Sequence, residues 1–303
     1  MKIILAGGTG FIGKAIRKEF LAAGHEVTVL IRSGNPVKNE REKFILWDGK
    51  TEGDWAAHLD GADAVINLSG ENIAAKRWTT ARKEAILSSR IDATRAIINA
   101  IGKLKNKPAV LINASAVGYY GDHLDAELTE TAVCGNGFLA EICERWEAEA
   151  RKAFAYGVRV VLARFGPVLG DHGGMLAKMV LPFRFFAGAP LGSGKQWIPW
   201  VHREDAAQAL CFLLEHKELS GPVNITAPVP ATMKEFSRAL AAALRRPLWF
   251  PVPAFLLKAF LGEMAAVVLS SQRAVPQKLL EAGYHFKYPH LSGALRAIFS
   301  KTE

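Results

Sequence analysis

Long apolar runs are missing from this sequence. None approaches the roughly 18–20 uncharged residues that a membrane-spanning helix needs, so we expect no span. Four apolar residues separate Lys2 from the first glycines, too few for the apolar region of a signal peptide. Cysteine is scarce: Cys134, Cys143 and Cys211 are an odd number without metal-ligand spacing. We therefore expect reduced thiols, no metal site and a cytoplasmic protein.

Blocks of charge are also missing, although the chain is basic. Its net charge of +9 is compatible with anionic ligands or nucleic acid. The lysines and arginines are scattered, however, and no nucleic-acid-binding motif is present. We expect a small-molecule ligand, with anionic character as one option, and neither a nucleic-acid nor a membrane partner. The sequence does not indicate an oligomeric state.

Short apolar runs alternate with helical patterns through the first half of the chain. This alternation predicts an α/β protein with a Rossmann-type, doubly wound parallel sheet. Helices are expected after the first strand, where Ile12, Ile16 and Phe20 form one stripe ended by Gly24, and over about 80–101 and 138–155. The expected strands are Lys2–Ala6, Val27–Ile31, Lys43–Trp47, Ala64–Leu68, Ala109–Ala114 and Val158–Ala163.

The pattern changes after Arg164, where glycine and proline become dense. Glu204–Glu215 is again helical, Gly221–Ile225 is strand-like, and Thr232 and Glu235 have the spacing of a capping box before another helix. We predict a Rossmann domain over 1–165, to which 203–226 returns. Residues 166–202 and 227–303 are predicted to form a smaller, mainly helical domain that binds substrate.

The segment 7–13, between the first strand and the first helix, contains four glycines, three of which form the pattern Gly-x-x-Gly-x-x-Gly. Glycine permits a tight turn there, and backbone N–H groups at the helix N-terminus favour a pyrophosphate. A structural turn is the alternative interpretation, but the strand–loop–helix context favours a dinucleotide site. The expected contacts are Gly7, Thr9, Gly10, Phe11, Ile12 and Gly13.

The end of the second strand tests which dinucleotide is bound. An acidic residue there would bind a ribose 2′-hydroxyl, whereas this chain has Arg32 followed by Ser33. A guanidinium suits a 2′-phosphate, so we expect NADP(H) in preference to NAD(H); a merely solvated Arg32 is the alternative. Asp48, after the third strand, is either an adenine contact or a turn carboxylate.

The glycine loop and the segments 67–70, 115–121 and 200–205 resemble the extended short-chain dehydrogenases/reductases, which include NAD-dependent epimerases and dehydratases. Segments 76–79, 89–90, 192–197 and 272–276 resemble, more narrowly, the atypical subgroup with the bacterial YfcH-type epimerase family proteins. Some of its members are labelled cell-division inhibitors. The resemblance implies a nicotinamide cofactor and adds Leu68, Ser69, Gly70 and Arg164 to its expected contacts.

The chain departs from that family at its catalytic pair. Active members use Tyr-x-x-x-Lys on the helix after the serine-bearing strand, but Phe138 and Ile142 stand at these positions. Phenylalanine transfers no proton and isoleucine carries no charge. Either another group provides acid/base chemistry, or a reactive substrate needs little, or the protein binds its cofactor without turnover.

The remaining catalytic candidates are few. Ser115 would hydrogen-bond a substrate oxygen, unless its hydroxyl bonds its own backbone. Tyr119 follows the same strand, and it either faces the cofactor or is packed. Cys143 is a candidate acid/base group, although a buried, inert thiol is the more common state. Glu141 and His202 are further acid/base candidates, and a solvated position on its helix is the alternative for Glu141.

Substrate contacts are expected from two places. Asn72 and Arg77, beside Lys76 and Trp78, follow the fourth strand at the edge where ligands enter. Tyr120, Trp197, Trp200 and His202 are the other candidates; the tryptophans alternatively fill the interdomain core and the histidine serves structure. These features predict an NADP(H)-dependent oxidoreductase or epimerase-like enzyme of unknown substrate. The competing hypothesis is a catalytically silent NADP(H)-binding regulator, for instance in cell division.

Overall fold

The structure is a computed structural model that describes residues 1–34, 40–171 and 173–300. Seven parallel strands form its central sheet. The inner strands are largely buried on both faces, which is why they are nearly continuous apolar runs rather than alternating ones, whereas the edge strand Glu42–Leu46 is only half-buried. They are β1 (Lys2–Ala6), β2 (Glu26–Ile31), β3 (Glu42–Leu46), β4 (Ala64–Asn67), β5 (Val110–Ala116), β6 (Arg159–Phe165) and β7 (Gly221–Ile225).

The strand order in the sheet is β3-β2-β1-β4-β5-β6-β7. The order reverses between β1 and β4, where Ala6 lies opposite Asn67. Loops leaving these two strands diverge and open a crevice at their carboxyl ends, the place where doubly wound sheets bind ligands. The predicted Rossmann-type sheet is confirmed.

Helices cover both faces of the sheet and build the region beyond it. Two apolar cores, one on each face, hold the sheet and its helices together. The helices are α1 (Phe11–Ala22), α2 (Thr80–Lys103), α3 (Phe138–Arg151), α4 (Gly174–Arg184), α5 (Arg203–Glu215), α6 (Met233–Leu244), α7 (Ala254–Leu261), α8 (Ala266–Leu269), α9 (Gln277–Glu281) and α10 (Leu291–Phe299).

A third apolar core lies in the C-terminal region and includes Trp200, Phe236 and Leu295. Between the segments that form it, the chain returns to the sheet: α5 packs on α1, and β7 pairs with β6 from Gly221 opposite Val161 onward. The division into a cofactor domain and a substrate domain stays a prediction.

Helix ends follow the capping chemistry of the sequence. Thr232 and Glu235 form the expected capping box at the start of α6. The side chain of Thr79 accepts the N–H of Arg82, so the cap of α2 lies one residue before Thr80. The helix expected over 138–155 ends earlier, at Arg151, and continues as a tighter turn over 152–156.

No helix in the described part of the chain combines the length and the apolarity that crossing a bilayer requires.

Phe20 tests how strongly α1 depends on the sheet. Its ring is fully buried among β-strand and α5 side chains, so Phe20→Ala should lower the free energy of unfolding by about 3–5 kcal/mol. Phe250→Ala, at a ring that is 89% exposed, is the matched control and should change it by less than about 0.5 kcal/mol. Urea unfolding followed by tryptophan fluorescence measures both; equal losses would contradict this packing.

Candidate functional site

The loop after β1 leads into a helix whose N-terminus has no side-chain cap. Gly10 is the N-cap, and the first turn of α1 contains no acidic residue. The first N–H groups of a helix have no partner inside it, and together with the helix dipole they attract an anion. This end of α1 is therefore a preformed anion site at the crevice.

The glycines of this loop are required by close backbone approaches. Gly7 has φ +80°, and a Cβ there would lie 2.8 Å from the carbonyl carbon of Leu68, after β4. At Gly13 a Cβ would lie 2.2 Å from the oxygen of Gly7, so no side chain fits where α1 enters the turn. A Cβ on Gly10 would meet that same oxygen at 3.3 Å, a tight contact, but no other atom within 4 Å. Thr9 and Gly10 are exposed, and Phe11 and Ile12 are half-buried.

The segment after β4 lies against the glycine loop, and hydrogen bonds to neighbouring side chains fix its backbone. Asn67 is fully buried, and its side-chain oxygen accepts the N–H of Ser69 at 3.1 Å. The hydroxyl of Ser89 accepts the backbone N–H of Glu71, and the guanidinium of Arg90 donates to the backbone carbonyl of Glu71. Among the described residues, the Ser69 hydroxyl is buried without a hydrogen-bond partner, which is the state expected of a group that serves a ligand.

Gly70 lies on top of Arg90, where a Cβ would be 3.0 Å from the guanidinium carbon. Burial lowers the pKa of Arg90 to about 10, and its guanidinium also lies over the ring of Trp146. Leu68, Ser69 and Gly70 are thus brought next to the glycine loop in a fixed conformation.

Arg32 extends into solvent from the end of β2, with 65% of its side chain exposed. Its Nη1 lies 3.3 Å from Oε1 of Glu71, a residue that Arg82 also contacts. The hydrogen bond from Arg82 is the main reason that the pKa of Glu71 is lowered; burial opposes it and Arg32 contributes further. Ser33, next along the chain, is exposed.

Asp48 closes a turn. Its Oδ1 accepts the N–H groups of Lys50 and Thr51, and its Oδ2 accepts the Thr51 hydroxyl. The hydroxyl and backbone bonds from Thr51 lower the pKa of Asp48 to about 2. These bonds match the interpretation of Asp48 as a turn carboxylate. Its contact with an adenine stays a prediction.

A buried ion pair lies beneath the candidate catalytic serine. The hydroxyl of Ser115 donates to Oε1 of Glu147 at 2.8 Å. Arg164 donates to both oxygens of the same carboxylate, from Nε at 2.8 Å and Nη2 at 2.9 Å, and Arg151 adds a bond at 2.9 Å. Burial would lower the pKa of Arg164, but its bonds to Glu147 and Tyr120 raise it overall. The pair is therefore charged and bidentate.

Glu147 is the functional residue that sequence reasoning missed. A signal for it was present: it lies on the buried face of α3, with Ala140, Cys143 and Ala150 at spacings of three and four residues. An acidic residue in such a stripe needs a buried cation, and Arg164 on β6 provides it.

The two tyrosines after β5 differ in environment. Tyr120 is fully enclosed, with its hydroxyl bonded to Asn224 and to Arg164, and burial raises its pKa to about 12. Tyr119 remains partly exposed, and the guanidinium of Arg164 lies 3.5 Å from its ring centroid. Of the two, Tyr119 is the one that can reach a ligand.

The start of α3 carries an aromatic contact where the family has its tyrosine. The ring of Phe138 meets that of Trp78 edge-on at 5.0 Å, and the ammonium of Lys83 lies 5.2 Å from its centroid. Ile142, at the lysine position of the family pair, is buried in the helix interface.

The aromatic residues expected at the substrate have two different settings. Trp200 is fully buried, and its indole N–H donates to the carbonyl of Val229. Trp197 is partly exposed and donates to Asp125. His202 is buried as the N-cap of α5, where it accepts the N–H of Glu204.

Three of the expected ligand contacts are enclosed by protein in this structure: Arg164, expected at the cofactor, and Tyr120 and Trp200, expected at the substrate. Their polar groups are bonded within the protein. These assignments stay predictions. For His202 the structural alternative describes the observed cap.

A cleft of about 460 Å³ separates the loop after β5 from the C-terminal region. Arg77 lies at its edge, since a Cβ on Gly262 would be 3.1 Å from Arg77 Nη2. An ion pair between Lys83 and Glu263 joins α2 to the C-terminal region. Asn72 lies in an exposed turn, closed by its own side-chain bond to the N–H of Ala74. The lining residues are Asp122, Lys258, Gly262, Glu263, Ala265, Ala266, Leu269 and Ser270.

Comparison with known proteins places this geometry in a family. Residues 3–226 match the profile of Epimerase, the NAD dependent epimerase/dehydratase family, and residues 252–298 match a domain of unknown function, DUF1731. The epimerase family protein YfhF of Bacillus subtilis is 41% identical over 99% of this chain and 98% of its own. The epimerase family protein SDR39U1 of Bos taurus is 38% identical over 99% of this chain and 100% of its own.

A solved structure is similar over nearly the whole fold. The crystal structure of human epimerase family protein SDR39U1 (isoform2) with NADPH has a TM-score of 0.89 and 36% identity, and the alignment covers 99% of both chains. That protein is therefore known with NADPH bound.

The thiol of Cys143 should be inert in the native protein. Burial raises its pKa to about 11, so at pH 8 on the order of one molecule in a thousand carries the thiolate. Iodoacetamide labelling at pH 8, mapped by mass spectrometry, should leave Cys143 unmodified until urea unfolds the chain. Rapid labelling of this residue in the native protein would restore it as a reactive candidate.

Proposed function

The chain belongs to the NAD-dependent epimerase/dehydratase family, and we propose that it binds NADP(H) and uses it in redox or epimerisation chemistry on a small organic molecule. One observation carries the proposal: the uncapped N-terminus of α1 behind a glycine loop, at the point where the strand order reverses.

The residues present fit a dinucleotide. The N–H groups of Phe11 and Ile12 at the start of α1 would hold the pyrophosphate, and Gly10, which has no side chain, would let it approach. Gly7 and Gly13 keep the loop folded tightly against β4. The buried hydroxyl of Ser69 would bond the nicotinamide half, where it has no protein partner among the described residues.

NADP(H) is favoured over NAD(H) by the end of β2. Arg32 is exposed, and its loose contact to Glu71 is easily exchanged for a 2′-phosphate. Ser33 adds a second hydrogen-bonding group, and a carboxylate that would bind a free 2′-hydroxyl is absent from this position in the sequence. The NADPH bound to human SDR39U1 supports the same choice.

When bound, the nicotinamide ring donates or accepts a hydride. Ser115 would orient the reacting oxygen of the substrate at the end of β5. Because its own proton is donated to Glu147, its oxygen is set to accept a hydrogen bond from a substrate hydroxyl. Tyr119, the partly exposed tyrosine, is the second group that we place against the substrate.

The cleft beside Arg77 is our proposed substrate site. Its volume of about 460 Å³ lies within the range of small-molecule pockets, about 300–1,000 Å³. Arg77 and Lys258 put two cations at its edge and wall. Asp122 and Glu263 add two carboxylates, so the lining suits a polar substrate without selecting one sign of charge. Trp197 lies beside the same wall through its bond to Ser271. We place the protein in the cytoplasm, where free thiols such as those of this chain stay reduced.

A second candidate function is that of a catalytically silent NADP(H)-binding regulator, for instance in cell division. A specific observation favours it. Phe138 and Ile142 stand at the family's catalytic positions, and burial raises the pKa values of the nearby Tyr120 and Cys143 rather than tuning them toward neutrality.

Arg32→Gln tests the cofactor preference. It should weaken NADPH binding about tenfold or more, because a charge-assisted bond to the 2′-phosphate is lost, and leave NADH binding unchanged. Arg145→Gln, which removes an exposed guanidinium on α3, is the control and should change neither. Dissociation constants from fluorescence titration decide; equal NADPH and NADH affinities in the parent protein would remove the preference.

Ser115→Ala tests whether the protein is an enzyme. NADPH oxidation with a broad panel of carbonyl compounds should reveal turnover, and the variant should lower kcat/KM on the order of a hundredfold with NADPH binding retained. Glu147 keeps its bonds to Arg164 and Arg151 in this variant, so the fold should persist. Retained NADPH binding without turnover in any case would favour the silent regulator.

A further inference from the structure

Large apolar side chains are exposed together in the C-terminal region. Phe250 is 89% exposed and Phe185 is 76% exposed, and four further rings there are more exposed than buried. Single exposed hydrophobic residues are ordinary, but a group of large ones marks an interaction surface. We name this group the aromatic face: Phe185, Phe186, Trp249, Phe250, Phe255 and Phe260.

Hydrogen bonds to backbone carbonyls join two of the segments that carry the aromatic face. The indole N–H of Trp249 donates to the carbonyl of Phe186 at 2.6 Å, and its backbone N–H donates to Gly188 at 2.9 Å. Val252 donates to Pro190 at 2.8 Å, so segments 185–192 and 249–252 run side by side. Phe255 follows on α7 after Pro253.

Helix α7 is unusual for a surface helix. Lys258 is its one residue that is not apolar, and none of its eight residues is fully buried. A helix that is apolar all round is normally buried in a protein core or in a membrane. The exposed rings Phe255 and Phe260 therefore need a partner that provides an apolar environment.

The two chain segments that contain the aromatic face carry charge of one sign, although Glu263 directly follows the second and Asp171 pairs with Arg203 of the first. The segments 173–203 and 236–262, which contain all six of its members, have no aspartate or glutamate. The guanidinium of Arg246 lies 4.5 Å from the ring centroid of Phe186. The cations of the two segments are Lys178, Arg184, Lys195, Arg203, Arg238, Arg245, Arg246 and Lys258.

We propose that the aromatic face binds to the surface of a bilayer that contains anionic lipids. Phenylalanine and tryptophan side chains beside arginine and lysine form the composition that inserts between headgroups while its cations contact lipid phosphates. A second copy of the chain fits less well, because two such faces in contact would bring like charges together. The association is peripheral, as the described helices are not built to span.

Flotation of the full-length protein with vesicles tests the proposal. Phosphatidylcholine vesicles that contain phosphatidylglycerol should carry the protein to the top of the gradient, and added salt should weaken this binding. Pure phosphatidylcholine vesicles should carry little. Failure to bind anionic vesicles would overturn the proposal.

Substitutions then locate the contact. Phe250→Ser and Phe255→Ser should each lower the partition coefficient about tenfold, from the lost apolar burial, and Arg245→Gln about fivefold. Val133→Ser removes an apolar side chain that is 75% exposed outside the aromatic face, and Lys105→Gln removes a charge outside it. Both controls should bind as the parent does. Thermal unfolding of every variant confirms that the fold is intact.

Two outcomes would contradict this assignment. Vesicle binding that is equal in the Phe250, Phe255 and Val133 variants would place the contact elsewhere. A concentration-dependent dimer in sedimentation, abolished by Phe250→Ser and without any vesicle binding, would show that a second copy covers the aromatic face.

Discussion

The ion pair between Glu147 and Arg164 is the constraint on which the carboxyl edge of the sheet depends. Both side chains are buried, and removing one partner would leave an uncompensated charge in the protein interior. The pair reaches Ser115 on β5 and, through Tyr120, Asn224 on β7. Three strands and α3 are therefore held in one register at the place where the substrate would lie.

The same network explains why the chemistry of this site differs from that of the wider family. Ser115, at the end of β5, donates its proton to Glu147, and the hydroxyl of Tyr120, in the turn that follows, is bonded to Asn224 and Arg164. Phe138 stands in place of a proton-transferring tyrosine. Its ring packs on Trp78 and has no group that can donate a proton. A site of this kind holds a ligand in a fixed orientation but has few groups that can transfer a proton. It therefore suits a reaction in which the cofactor itself carries out the demanding chemical step.

Local patterns predicted the sheet and the glycine loop, because strand periodicity and the steric needs of Gly7 and Gly13 are encoded in neighbouring residues. Long-range partners were not predictable in this way. Trp197 and Trp200 are three residues apart in one loop, yet the second is buried because the distant carbonyl of Val229 accepts its N–H. The role of Glu147 also required knowing that β6 places Arg164 beside it.

Helix α7 connects the aromatic face with the cleft. It begins after Pro253 next to the aromatic face and ends at Gly262, which lines the cleft and lies against Arg77. Lys258 on the same helix also lines the cleft. Phe255 and Phe260 of the aromatic face lie on this same helix, so the proposed lipid contact and the cleft share one element of eight residues.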